Sequence, residues 1–179
     1  MLDKKKIILT SIVLGSIAAC SGVLIGVTNL ITKDRIAINE QNKINEGMKA
    51  IFEQNSVKIE ELSLEEAGIT GEYKYVETFY LVKDENGEEL GCAIRTSGSN
   101  MYGKISLIAG FDKEDQSFIS LSLITNEQTY ATTLVDNYIN PLNDGDRILD
   151  DVSCGATYGA KLVRDMVNEG QEAALEYFN

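Results

Sequence analysis

From Ile7 to Thr32 the chain carries no charged side chain, and Ile, Leu, Val, Ala and Gly fill most of the positions. Roughly 25 residues of helix span about 37 Å, more than the ~30 Å hydrocarbon core of a bilayer. The pattern therefore predicts one transmembrane helix over 7–32, preceded by a short polar segment, 1–6. Behind it Ile44, Met48, Ile51 and Phe52 recur at helical spacing. This predicts a stalk helix over 33–55, continuous with the membrane segment or close behind it, in which Met48 and Phe52 are packing residues.

The remaining stretch, 56–179, changes period. Val57–Ile59 and Tyr73–Val82 read as strands, with Gly68 and Gly71 marking loops between them. Asn86-Gly87 is a strong hairpin signal, returning through Leu90–Thr96. The glycine-rich Ser97–Gly103 reads as a loop into a further strand, Ile105–Phe111. A turn near 112–116 then leads to Phe118–Thr125, where Ile119, Leu121 and Leu123 alternate with Ser120 and Ser122. That alternation predicts an antiparallel sheet with one buried face. Pro141 falls in a predicted loop before Asn143–Asp146. Ala160, Val163 and Val167 give helical spacing over 157–169, with Gly170 ending the helix and a short second piece reaching Phe178. The fold class expected is α+β: a single N-terminal transmembrane helix, then one domain with a mainly antiparallel sheet and flanking helices.

Charge sharpens the topology. The net charge is -12, but residues 1–35 hold five basic against two acidic residues, leaving 11 basic and 26 acidic in the rest, a balance of -15. Lys4, Lys5 and Lys6 directly precede the apolar run, and the far flank is mixed. The positive-inside rule then places 1–6 in the cytoplasm and the acidic domain outside it, held at the cell membrane by one pass. Ile17-Ala18-Ala19-Cys20 offers a rival reading as a lipoprotein cleavage box with Cys20 lipidated. The apolar run continues for about eleven residues past Cys20, longer than a signal peptide needs, which favours an uncleaved anchor. So acidic an exterior repels nucleic acid and excludes a role on it.

Composition also limits the chemistry. The chain has no histidine and no tryptophan. Ser-His-Asp and Cys-His catalysis are excluded, as are zinc sites that need His. Cys20, Cys92 and Cys154 show neither metal-ligand spacing nor a disulfide framework, although Cys92 and Cys154 could pair in an oxidising compartment. Redox chemistry here would need an organic cofactor.

One stretch stands out: Asp151-Val152-Ser153-Cys154-Gly155-Ala156-Thr157, a small-residue turn ahead of a predicted helix. A helix start exposes unpaired N–H groups and the positive end of the helix dipole, which suits a phosphate. On the residues alone the plainer reading is a cap, with Asp151 or Ser153 accepting backbone N–H bonds and Gly155 supplying an unusual backbone angle. Thr157 has no neighbouring base, so anything joined to its hydroxyl needs a separate enzyme.

The run Asp151-x-x-Cys154-Gly155-Ala156-Thr157 resembles the Asp-x-x-Ser/Thr-Gly-Ala-Thr flavinylation motif of the FMN-binding domain family. That family includes the G subunit of the Rnf electron-transport complex and the C subunit of the sodium-pumping NADH:quinone reductase. Thr32-Lys33-Asp34-Arg35-Ile36 is similar to its Thr-Lys-x-x-Ile stretch, and Tyr102-Gly103-Lys104-Ile105 to its Gly-Tyr-Gly-x-Ile feature. The resemblance implies that 56–179 is an FMN-binding domain and that Thr157 carries covalent FMN through a phosphoester made by a dedicated flavin transferase. Gly155 and Ala156 would let the phosphate approach the backbone. Cys154 would be a small residue of the turn, and Asp151 would cap the turn or be read by the transferase. Tyr102, Glu127 and Thr129 would flank the ring. The resemblance further implies an electron-carrying subunit, not catalytic alone, of an ion-translocating ferredoxin:NAD oxidoreductase with membrane and iron–sulfur partners. The chain departs from the family at Cys154, at Tyr158-Gly159, and over Glu127–Thr132, where a Glu-Thr-Pro-Gly-Leu-Gly segment is usual. A lipid-anchored flavin shuttle for extracellular reduction and a non-redox structural or sensory domain are the alternatives.

Overall fold

The computed structural model describes residues 4–53 and 57–179. Helix α1 (Lys4–Ile51) runs without interruption, so the membrane and stalk segments are one helix; expected stalk residues 54–55 lie outside the described residues. The chain divides into two units, 1–42 and 43–179.

In the first unit Ile8, Leu9, Leu14, Leu24, Ile25 and Leu30 are exposed, and this is the one helix among the described residues long and apolar enough to cross a membrane. Its hydroxyls do not contradict that. Thr10, Ser16, Thr28 and Thr32 each donate to the carbonyl four residues back, at 2.8–2.9 Å, so these four hydroxyl protons are paired within the helix.

The second unit is built on a five-stranded antiparallel meander: β1 (Lys58–Leu62), β2 (Val76–Lys83), β3 (Glu89–Asn100), β4 (Gly103–Asp112) and β5 (Phe118–Asn126), in that spatial order. The α+β class is therefore as expected, but the sheet is buried on both faces. One face carries Phe79, Leu81, Ile94, Leu107 and Phe111 under the C-terminal helix. The other carries Tyr80, Val82, Ala93, Ile108 and Ile124 under Ile44, Met48 and Ile51 at the end of α1. Strand β4, Ile-Ser-Leu-Ile-Ala-Gly-Phe, reads as the near-continuous apolar run that such burial requires. The alternation in β5 is broken by register shifts against β4 near Ser106/Leu107 and Ala109/Phe111. Ile119 is consequently exposed while Leu121 stays in the core.

Ser97–Gly103 is not a loop. Ser97, Gly98, Ser99 and Asn100 pair with Ser106, Ile105, Lys104 and Gly103, leaving a tight turn at Met101-Tyr102. Backbone hydrogen bonds need no apolar side chain, and a small residue is required at 98 because Tyr75 and Leu162 lie over it. Nor is Pro141 in a loop. It sits in α3 (Asn140–Asn143), joined to α2 (Ala131–Leu134) by a π-helical turn, Val135–Ile139. A proline cannot donate to the helix ladder, and here the N–H of Asn140 reaches Val135 O, five residues back.

Helix α4 (Thr157–Phe178) is continuous through Gly170. A Cβ at 170 would lie 3.2 Å from Phe111 Cζ, so this glycine brings helix and sheet together instead of ending the helix. Ala160, Val163, Met166, Val167 and Ala174 form its buried face. The connection after β1 is tied to the same helix: Glu176 accepts from Thr70 N and Thr70 Oγ1 (both 2.7 Å), Tyr73 OH (2.9 Å) and Gly71 N (3.3 Å). The bonds from Thr70, then Tyr73, hold its carboxyl down at about 2 against an ordinary 4.5. A carboxylate with a depressed folded pKa stabilises above its unfolded value and loses that contribution as pH falls through the folded one. Glu176→Gln will therefore lower the urea midpoint at neutral pH, and the gap to wild type will narrow between about pH 4.5 and about pH 2. A gap that does not change with pH would refute this role.

Candidate functional site

The Gly155–Gly159 turn sits where three elements meet: the start of α4, the β3–β4 hairpin, and the segment from β5 into α2. Ala156 is the N-cap of α4, with φ -119° and no side-chain cap bond. Neither Asp151 nor Ser153 therefore caps the helix, although Asp151 does accept a backbone N–H in the turn before it. Asp151 Oδ1 accepts from Ser153 N (3.3 Å), and Asp151 Oδ2 pairs with Arg147 (3.4 Å), within the preceding loop. Arg147 also donates to Asp151 O (2.7 Å) and Ser153 O (3.3 Å), which fixes the loop that delivers the turn. Cys154 is buried, and its carbonyl accepts from Asn137 of the π-turn (3.1 Å). Gly155 has φ +83°, a left-handed conformation that explains glycine there, and Thr133 of α2 lies against it. Half-buried Thr157 opens the helix.

Beside Thr157 is a cleft of about 260 Å³, walled by Tyr102, Gln128, Tyr130, Leu134 and residues 155–159. No charged side chain lines it. Tyr102 lies 5.4 Å from Tyr158 and 6.0 Å from Tyr130, between ring centroids. Buried Gln128 donates to Asn100 Oδ1 (3.2 Å) and to Gly103 O, locking the hairpin to the end of β5.

Of the residues expected at the site, Tyr102, Gly155, Ala156 and Thr157 line this cleft together. Cys154 stands just behind it in the core, and Asp151 lies in the loop before it. Glu127 and Thr129 are exposed, and the lining positions belong to their neighbours Gln128 and Tyr130. Thr129 serves as a tie, its N–H (2.9 Å) and hydroxyl (3.2 Å) both donating to Tyr102 O. Gln128, Tyr130 and Tyr158 enter the sequence reading only as departures from the family pattern, not as site residues, and Leu134 and Asn100 do not enter it at all. The only local signal was the cluster of tyrosines and amides at 126–130 and 158.

The residues fit a phosphate joined to a planar ring. The 22-residue helix leaves the N–H groups of Thr157, Tyr158 and Gly159 without intrahelical partners, beside a side-chain-free Gly155. At about 260 Å³ the cleft is just below the range of ligand sites, about 300 to 1,000 Å³, a size that suits a ring system rather than a whole nucleotide. Among the described residues there is no His/Cys/Asp/Glu group able to hold a metal. Cys20, Cys92 and Cys154 are free, and burial pushes the Cys92 thiol far above its ordinary range, which makes it inert.

Gly103 follows Tyr102 in the hairpin and fixes that hairpin against the segment after β5. It has φ +137°, and a Cβ there would collide with Glu127 O, which is held in place by the Glu127 N–Lys104 O bond (2.8 Å). Gly103→Ala will cost about 1–3 kcal/mol from backbone strain alone and loosen the Gln128 tie, read as a lower urea midpoint. An unchanged midpoint would show that the hairpin can relax.

No curated protein matches this chain. Residues 1–51, the helix α1 and the segment leading into it, match the family model described as the RnfG N-terminal region, and the chain accordingly resembles the RnfG subunit.

Proposed function

We propose that this chain is the electron-carrying, membrane-anchored flavoprotein subunit of an Rnf-type ion-translocating complex, with FMN joined to Thr157 by a phosphoester. The observation that carries the reading is the position of Thr157 at the mouth of an uncharged, tyrosine-walled cleft and at the first position of a 22-residue helix. The match of residues 1–51 supports the Rnf assignment independently, because it involves none of the site residues.

When bound, FMN supplies one- and two-electron transfer without a protein acid or base. The chain's own residues have three tasks. The free N–H groups at 157–159 and the helix dipole stabilise the phosphate charge. Gly155 leaves room for backbone approach, and the tyrosine walls exclude water from one side of the ring. The absence of His from the chain costs this function nothing. A covalent tether suits a domain outside the cytoplasm, where no free FMN pool refills an empty site. Maturation requires a flavin transferase, and the acidic domain docks on polar or complementary protein surfaces rather than on anionic lipid.

Intact mass of the membrane-extracted chain, produced beside the transferase, tests this directly. The expected species retains residues 1–20 and carries one FMN. Cleavage before Cys20 with added acyl chains would instead establish the lipid-anchored shuttle. An unmodified mass, with no fluorescent band after denaturing electrophoresis, would leave a non-redox domain.

A further inference from the structure

We propose that Tyr130 and Tyr158 form a clamp that closes on the flavin ring over Tyr102, with Asn100 as the residue that positions it. This rests on the reading of Thr157 as the flavin tether. Tyr130 and Tyr158 are 54% and 60% exposed, although both belong to the wall of the cleft. Large rings left in water at a cleft mouth lose apolar burial that a planar ligand restores. Tyr102, only half-buried, touches both and forms the floor between them.

The three rings come from three separate elements, and one bracket holds those elements together. Asn100 Nδ2 donates to Tyr158 O (3.0 Å), while Asn100 Oδ1 accepts from Tyr102 N (2.8 Å) and from Gln128 (3.2 Å). Tyr102 O in turn accepts from Thr129, the residue before Tyr130. The backbones behind the rings are therefore fixed, and only the exposed ring ends of Tyr130 and Tyr158 are free to turn. At 5.4 and 6.0 Å from Tyr102 the rings leave no slot for a third ring between them. Tyr130 and Tyr158 would therefore turn away from Tyr102 to admit a ring and back against it once it is seated. Bases stack on aromatic side chains in nucleic-acid sites, and a flavin ring offers a similar face. Tyrosines in contact with an excited flavin also donate an electron to it and quench its emission, which provides a readout separate from turnover.

The test compares flavin emission of the folded, full-length chain in detergent with that of the same sample denatured, at equal flavin mass. Folded wild type is expected to be strongly quenched, and Tyr130→Leu/Tyr158→Leu to recover emission several-fold. Asn100→Ala is expected to recover part of it with all three tyrosines present. Equal quenching in wild type and the double variant, at equal flavin mass, overturns the clamp and leaves the tether intact. If wild type carries no flavin, the tether reading fails first. Added lumiflavin then decides the clamp alone: quenching by wild type but not by the double variant upholds it, and no difference overturns it.

Discussion

A Thr157→Val chain made beside an active flavin transferase will fold normally and carry no flavin. Valine keeps the β-branched shape of threonine and removes only the hydroxyl, the atom to which a phosphoester must be joined. The helix start has no side-chain cap bond to lose, and Ala160 N still reaches Ala156 O at 3.0 Å. The stability change should therefore stay within about 1 kcal/mol. The loss of label should be complete, because no neighbouring hydroxyl occupies the same place: Ser153 lies back in the Arg147-braced loop. Thr157→Ser will retain label, since it keeps the oxygen at the same backbone position. Intact mass and in-gel fluorescence read both variants. Flavin persisting on the valine variant would move the attachment elsewhere and remove the central argument for the site.

The largest loss of stability expected from a single core substitution is at Phe111. This ring is fully buried on the β4 face that meets α4, 6.3 Å edge-on from Phe118 and directly under Gly170. Gly170 has no side chain with which to fill the space, and the helix is held at that distance by Ala160, Val163, Met166 and Val167 along its length. The site cannot collapse easily, so Phe111→Ala should cost about 3–5 kcal/mol, a large part of the stability of a domain this size. Ile119→Ala on the neighbouring strand is the control. It is exposed where the register shift carries it away from the core, and should change stability by no more than about 0.5 kcal/mol. Urea unfolding of the detergent-solubilised chain, followed by circular dichroism, measures both. A Phe111→Ala cost near that of Ile119→Ala would mean that α4 and the sheet are not packed as described.

The two residues also show where reading along the chain succeeds and where it stops. Thr157 is legible because its signal is local: a small-residue turn, one hydroxyl, and a helix pattern directly after it. The same holds for the hairpin at Asn86-Gly87, where Gly87 takes φ +90°, and for the spacing of Ile44, Met48 and Ile51, all of which are buried. Gly170 is different. A glycine between helical stretches looks like a stop signal, and only the ring of Phe111 shows it to be a point of contact. Ile119 fails in the same way, since its alternation with Leu121 is real but is offset by a register shift specified by the partner strand. Glu127 and Thr129 fall outside the cleft and Gln128 and Tyr130 line it, because the chain leaves β5 at Asn126 and turns, so that no strand or helix period orders the side chains of 127–130.

Sequence alone determined what depends on neighbours within a turn or two of the same segment. That includes the membrane-length apolar helix, the α+β class, the hairpin, the exclusion of histidine chemistry, and the turn that presents Thr157. Tertiary structure alone decided which side chains share a space: the double-faced sheet, the helix that passes through Gly170, the π-turn before Pro141, and the meeting of Tyr102, Tyr130 and Tyr158. The reason is physical. Propensity and periodicity act over a few residues, whereas the cleft beside Thr157 is made by three segments brought together by burial and by the side-chain amides of Asn100 and Gln128, whose partners lie about 25 to 58 positions away.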